Sequence, residues 1–168
     1  MTTIAATTLA SISQVTVACA TTNFILAYVP VFCKGPLLFA RASSAAKMSI
    51  GQLNLNPREA LTRTIAVVGA EDAAYLARCQ SCHDNCLEGL PWLYAALLFA
   101  AAAGVPSKTV DAVALYNAVA RALYVFFYVR GTSELFAHCR TFCFWSSWIA
   151  CLYLFITACV LAPPKTWS

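Results

Sequence analysis

The chain has 168 residues, 61% of them hydrophobic and 11% charged, with a formal net charge of +4 at neutral pH. A soluble domain carries roughly a quarter charged residues, so this composition marks an integral membrane protein and excludes a water-soluble globular enzyme. The modest positive charge comes without a basic stripe interleaved with aromatics, which excludes nucleic acid as a partner.

At about 20 apolar residues per helical crossing, the length accommodates one all-α domain, residues 1–168, with four membrane spans. The first charged residue is Lys34. Met1 to Cys33 therefore has neither the basic n-region of a secretory signal nor the arginines of a mitochondrial presequence. No cleaved leader is expected, and chain ends held in order would point to a surrounding assembly. The first span falls within residues 9–39, with a kink at Pro30 and Lys34 snorkelling toward the interface. Residues 41–71 turn polar through Ser43-Ser44, Gly51 and Asn54-Leu55-Asn56-Pro57-Arg58-Glu59. They form an extramembrane loop with a short helix opening at Pro57, where proline suits the first helical position.

The second span covers 72–103 and ends at Gly104, with Pro106 beyond it. Ser107 caps the third, over 108–129, which Arg130-Gly131-Thr132-Ser133 breaks. Arg140-Thr141 opens the fourth, over 140–161, and Pro163-Pro164 stops it. No internal repeat is evident. Lys34, Arg41, Lys47, Arg58, Arg63, Arg78, Arg130 and Arg140 fall on the side of the first and third loops, against Lys108 and Lys165 on the other. The positive-inside rule makes that side cytoplasmic or matrix-facing, in the endoplasmic reticulum or mitochondrial inner membrane, with both termini opposite.

Polar groups carried into a span mark a site by default, because they are costly in hydrocarbon without a partner. On the second span Arg78, Ser81, Asn85 and Glu88 stand at i, i+3, i+7 and i+10, on one stripe. On the third, Arg121, Tyr124 and Tyr128 do the same. Two such stripes facing each other, or facing a neighbouring subunit, make a pocket for an ionic ligand. Arg121 and Glu88, at similar depth, are expected to pair as a buried structural bridge. Arg140 beside Thr141 joins a fixed positive charge to an adjustable hydroxyl, suited to holding a thiolate or, more plainly, to anchoring a span end. Cys79, Cys82 and Cys86 with Cys139 and Cys143 have spacings that zinc uses, but along a span edge small residues serve close helix approach, and no metal site is assigned. His83 reads as an interfacial polar residue, and Trp92, Trp145, Trp148 and Trp167 as belt residues near the two interfaces.

The string Arg78-Cys-Gln-Ser-Cys-His83-Asp-Asn85-Cys-Leu-Glu88-x-x-Pro91, followed by Ala120-Arg121-x-x-Tyr124-x-x-x-Tyr128 and Arg140-Thr141, resembles the MAPEG superfamily, the membrane-associated proteins in eicosanoid and glutathione metabolism. The upstream Asn54-x-Asn-Pro57-Arg-Glu-x-Leu61 is similar to the uncharacterised branch of that superfamily. The resemblance, from about Pro30 to Ala162, implies a left-handed four-helix membrane bundle assembled as a homotrimer, with glutathione between neighbouring subunits. It implies that Asn85, Glu88 and the tyrosines Tyr124 and Tyr128 bind the tripeptide, while Arg140 and Thr141 act at the thiol.

The pattern departs from the glutathione-using enzymes at several positions. Asp84 and Ser81 stand where those enzymes carry arginines, Phe144 replaces a tyrosine, and the stretch from Tyr128 to Arg140 is longer. Two readings follow. One is a glutathione-dependent transferase or peroxidase acting on lipophilic electrophiles or lipid hydroperoxides. The other is a non-catalytic accessory subunit of a larger membrane complex, such as a respiratory one, using the same fold.

Overall fold

In a computed structural model of the chain the described residues are 12–161. The expected span start at residue 9, the Pro163-Pro164 stop, Lys165, Trp167 and the ordering of the termini lie outside them. Six helices follow in order: α1 (Gln14–Ser44), α2 (Ile50–Leu55), α3 (Pro57–Val67), α4 (Ala70–Ala102), α5 (Ser107–Arg130) and α6 (Glu134–Leu161). Four of them, α1, α4, α5 and α6, are long and apolar enough to cross a membrane. Only 22% to 39% of the most apolar window of each is buried within the chain. Apolar surface therefore faces outward, as a bilayer solvent permits and water does not.

Helix α1 is capped by Ser13, whose side chain accepts from the Thr16 amide at 3.0 Å, and continues through Pro30 and Pro36. Each proline removes a donor and disturbs the carbonyls of the preceding turn. Helix α4 answers with side chains. His83 Nδ1 lies 2.7 Å from the Ala27 carbonyl, and the Tyr75 hydroxyl donates to the Cys33 carbonyl at 3.2 Å, each carbonyl three residues before a proline. A carbonyl only accepts, so the His83 ring carries its proton on Nδ1. Tyr94 adds a third bond of this kind, to Ala20 at 3.2 Å. Lys34 differs from expectation: it is 8% exposed, and its Nζ donates to Gln80 Oε1 of α4 instead of snorkelling outward.

The connection between α1 and α4 holds more structure than a loop with one helix. Ser49 and Gln52 close a capping box that starts α2, a reciprocal pairing that satisfies two orphan amides. Helix α3 opens at Pro57 with Asn56 as its cap. It rests on the ends of α1 and α4 through Ala60 and Leu61 against Leu38, Ala42 and Leu76, and Arg41 pairs with Asp72 at 2.6 Å across the same junction.

Helix α4 ends in a Schellman motif. Gly104 has φ +78, the Val105 amide reaches the Ala100 carbonyl at 3.0 Å and the Gly104 amide reaches Ala101 at 3.2 Å, a left-handed closure that glycine accepts without strain. Ser107 does not cap α5; Pro106 stands at the cap and Ser107 is the first helical residue. The start of α5 is tied instead by Asp111, whose carboxylate accepts from Ser13 Oγ and from Thr16 Oγ1 at 2.6 Å.

Helix α6 begins at Glu134, ahead of the expected 140. Ser133 receives the Phe136 amide on its hydroxyl at 3.5 Å and the Ala137 amide on its carbonyl at 3.2 Å, and Glu134 suits the positive end of the helix dipole. Arg140 and Thr141 thus stand on the second turn of α6 and not at its opening. Helices α4 and α5 touch each other, and both are contacted by α1 and by α6, so they form the central pair. On α4 the buried positions 79, 82, 86, 89, 93, 96 and 100 recur at alternating threes and fours. Cysteine, glycine and alanine fill most of them, which lets neighbouring backbones approach closely.

Candidate functional site

On the charged side of the bundle, α4, α5 and α6 each lend polar side chains to one continuous line. Asn85 of α4 is half-buried, and its Nδ2 donates to the Tyr124 hydroxyl of α5 at 3.1 Å. Tyr124, 2% exposed, meets Tyr128 one turn along α5 with ring centroids 5.4 Å apart and planes at 70°. The Arg140 guanidinium of α6 lies 4.2 Å from the centroid of the Tyr128 ring. A cation over an aromatic face gains about 0.5–2 kcal/mol, depending on its exposure to water. The ion pairs among the described residues are Arg41–Asp72 and Arg63–Glu59, so Arg140 is held by a ring face and not by a carboxylate.

The other expected site residues are placed differently. Thr141 is exposed, and its hydroxyl donates to the Ala137 carbonyl at 3.0 Å, the local back-bond common for threonine in helices. Nothing in the described chain joins it to the line from Asn85 to Arg140. Glu88 is exposed on the outer surface of α4. Arg78 turns back over Tyr75, at 6.0 Å.

The expected bridge between Arg121 and Glu88 is absent. Both stand 14 residues from the far end of their helices, about 21 Å along the axis, so depth matches but direction does not. Arg121 is 7% exposed, with its guanidinium 5.4 Å from the Tyr124 ring and 5.5 Å from Phe144. It sits where a side chain on Gly89 would be: a Cβ built at Gly89 runs into Nη2 of Arg121. Glu88 is one residue earlier, about 100° around the helix, and so points away from the face that receives the arginine.

Gly89 and Asn117 are the contributors that motif reading passed over. Gly89 continues the stripe Cys82, Cys86 at the same threes and fours, and extending that stripe would have found it. Asn117, 2% exposed, donates from Nδ2 to the Ser147 carbonyl at 3.3 Å. The cysteines are free, and Cys82, Cys86 and Cys143 pack in one cluster with Ala27, Tyr124 and Val125. Among the described residues no group of three His, Cys, Asp or Glu is arranged to hold a metal ion. Trp92 and Trp148 pack on each other, centroids 5.2 Å apart, instead of standing separately at two interfaces. Of the departures from the enzyme pattern, Ser81 and Asp84 are exposed, Asp84 accepting from Gln80 Nε2 at 2.7 Å. Phe144 lies beside Arg121.

Among known proteins, the model of the MAPEG family matches residues 12–160. No curated protein and no solved structure matches the chain.

Proposed function

Since the chain belongs to the MAPEG family of integral membrane proteins, we propose that it is a glutathione-dependent enzyme whose site is the line Asn85–Tyr124–Tyr128–Arg140, completed by Glu88. The observation that carries this reading is the Arg140 guanidinium, 4.2 Å over the Tyr128 ring with no carboxylate neutralising it among the described residues. A thiol near neutral pH is mostly protonated, and only the thiolate is a strong nucleophile. A fixed cation beside the sulfur raises the thiolate fraction, and Arg140 supplies it without losing charge at any working pH.

In a transferase reaction the thiolate forms a bond to an electrophilic carbon of a lipophilic substrate arriving from the bilayer. The bond to the leaving group breaks, and the thiol proton passes to solvent or to that group. Asn85 donates to the peptide, and Glu88 accepts from its ammonium group. Asn85 turns inward to Tyr124 while Glu88 is exposed on α4, so in this reading a neighbouring copy in a homotrimer completes the site. An exposed carboxylate at membrane depth is costly until such a neighbour covers it.

The test is calorimetric titration of glutathione into the detergent-solubilised oligomer. Saturable binding by the parent that is lost in Arg140→Ala supports the enzyme. A folded oligomer that takes up no glutathione at millimolar concentration overturns it and leaves the second reading, an accessory membrane subunit. Asp84 favours that second reading, because a carboxylate at the site's edge repels a ligand that carries two. Asp84→Arg strengthens binding if the enzyme reading holds.

A further inference from the structure

Deep in the bundle a second polar group of residues serves neither the line to Arg140 nor any ion pair. Asn23 of α1, Cys86 and Gly89 of α4, and Asn117 and Arg121 of α5 line a small internal cavity. Asn117 also holds the Ser147 carbonyl of α6, so all four long helices meet there. Two buried atoms at this junction have no protein partner: the Asn117 Oδ1 acceptor and the Arg121 Nη1 donor. Both residues are more than nine-tenths buried, and buried polar atoms are rarely left unpaired.

We propose that this cavity is a built hydration site holding one water molecule, which accepts from Arg121 Nη1 and donates to Asn117 Oδ1. Its size selects the occupant, since the centre of a water can range over about 10 Å³, near the lower limit for a single water and too little for a larger ligand. Chemistry selects it again. Asn117 Nδ2 lies 3.3 Å from the Ser147 carbonyl, and reversing the amide would set two acceptor oxygens against each other. Oδ1 is therefore committed to the cavity, where it repels a halide and welcomes an O–H donor.

Unlike a halide or a bare cation, water both donates and accepts. Its second hydrogen goes to Asn23, whose Nδ2 is engaged by the Cys19 carbonyl at 2.9 Å, leaving its oxygen as the acceptor. Three partners are typical of a buried water. The water gives Arg121 a polar contact that no carboxylate supplies, and it joins α1 to α5 at the depth where Asn117 also holds the Ser147 carbonyl of α6. It does not depend on glutathione binding.

The test is an experimental structure of the whole protein at a resolution that shows ordered water, determined once in chloride and once in bromide. The expected result is one peak within hydrogen-bond distance of both Asn117 Oδ1 and Arg121 Nη1, without an anomalous bromide signal. A bromide signal, a carboxylate from a second copy in that place, or no density at all overturns the proposal.

Discussion

Toward α1, the polar side chains of α4 are matched inside the chain: Tyr75, His83 and Tyr94 reach backbone carbonyls and Gln80 takes the Lys34 ammonium. Toward α5 and α6 the same helix joins side chain to side chain, from Asn85 through Tyr124 and Tyr128, and the line ends on Arg140, while Glu88 faces outward. A polar group in a membrane must find a partner. A seam that closes on itself is fold, and a seam that ends in uncompensated charge is the one on which the proposed function rests.

That contrast can be broken by substitution. Arg140→Ala removes the charge at the open end, and hydrogen bonds to charged groups contribute about 1.5–3 kcal/mol. Glutathione affinity should fall by about 10- to 150-fold in calorimetry, with the melting temperature lowered only by the loss of the contact with the Tyr128 ring; a large drop in melting temperature with retained affinity would reverse the assignment. Gly89→Ala sets a methyl against the Arg121 guanidinium, and overpacking of this kind costs about 1–3 kcal/mol. Here the melting temperature of the detergent-solubilised protein should drop.

Smaller changes sharpen the comparison. Tyr94→Phe removes one bond of the closed seam, worth about 0.6 kcal/mol on average inside a bilayer. Stability should fall slightly and glutathione binding should not move, whereas a binding defect would show that the two seams are coupled. Thr141→Val removes a hydroxyl already bonded to its own helix, so its effect on binding should stay within about twofold. A large loss would mean that the hydroxyl leaves Ala137 when ligand arrives.

Much of the helical plan is readable along the chain, because apolar runs of bilayer length and left-handed or proline positions are local signals. Gly104 and Pro57 mark helix boundaries for that reason. The start of α6 is not readable in the same way: the apolar run begins only at Phe142, while Ser133 and Glu134 begin the helix in polar sequence. Helix α2 is too short to show a period. In the site, the residue types and their spacing on α4 and α5 single out Asn85, Glu88, Tyr124 and Tyr128, but spacing along one helix says nothing about the neighbour it meets. Depth and charge pair Arg121 with Glu88, and the 100° between Glu88 and Gly89 overrules both.

By itself, the sequence determined that this protein is a four-span helical membrane protein of the MAPEG family, because bilayer thickness and backbone satisfaction leave an apolar chain few alternatives. Only the tertiary structure decided that Lys34 is fastened to Gln80, that His83 holds a proline-disturbed turn of α1, that Arg121 turns inward over Gly89, and that Arg140 lies on Tyr128. Each of these contacts joins different helices, and the partner of a polar group in a low-dielectric interior is set by which faces the packing brings together.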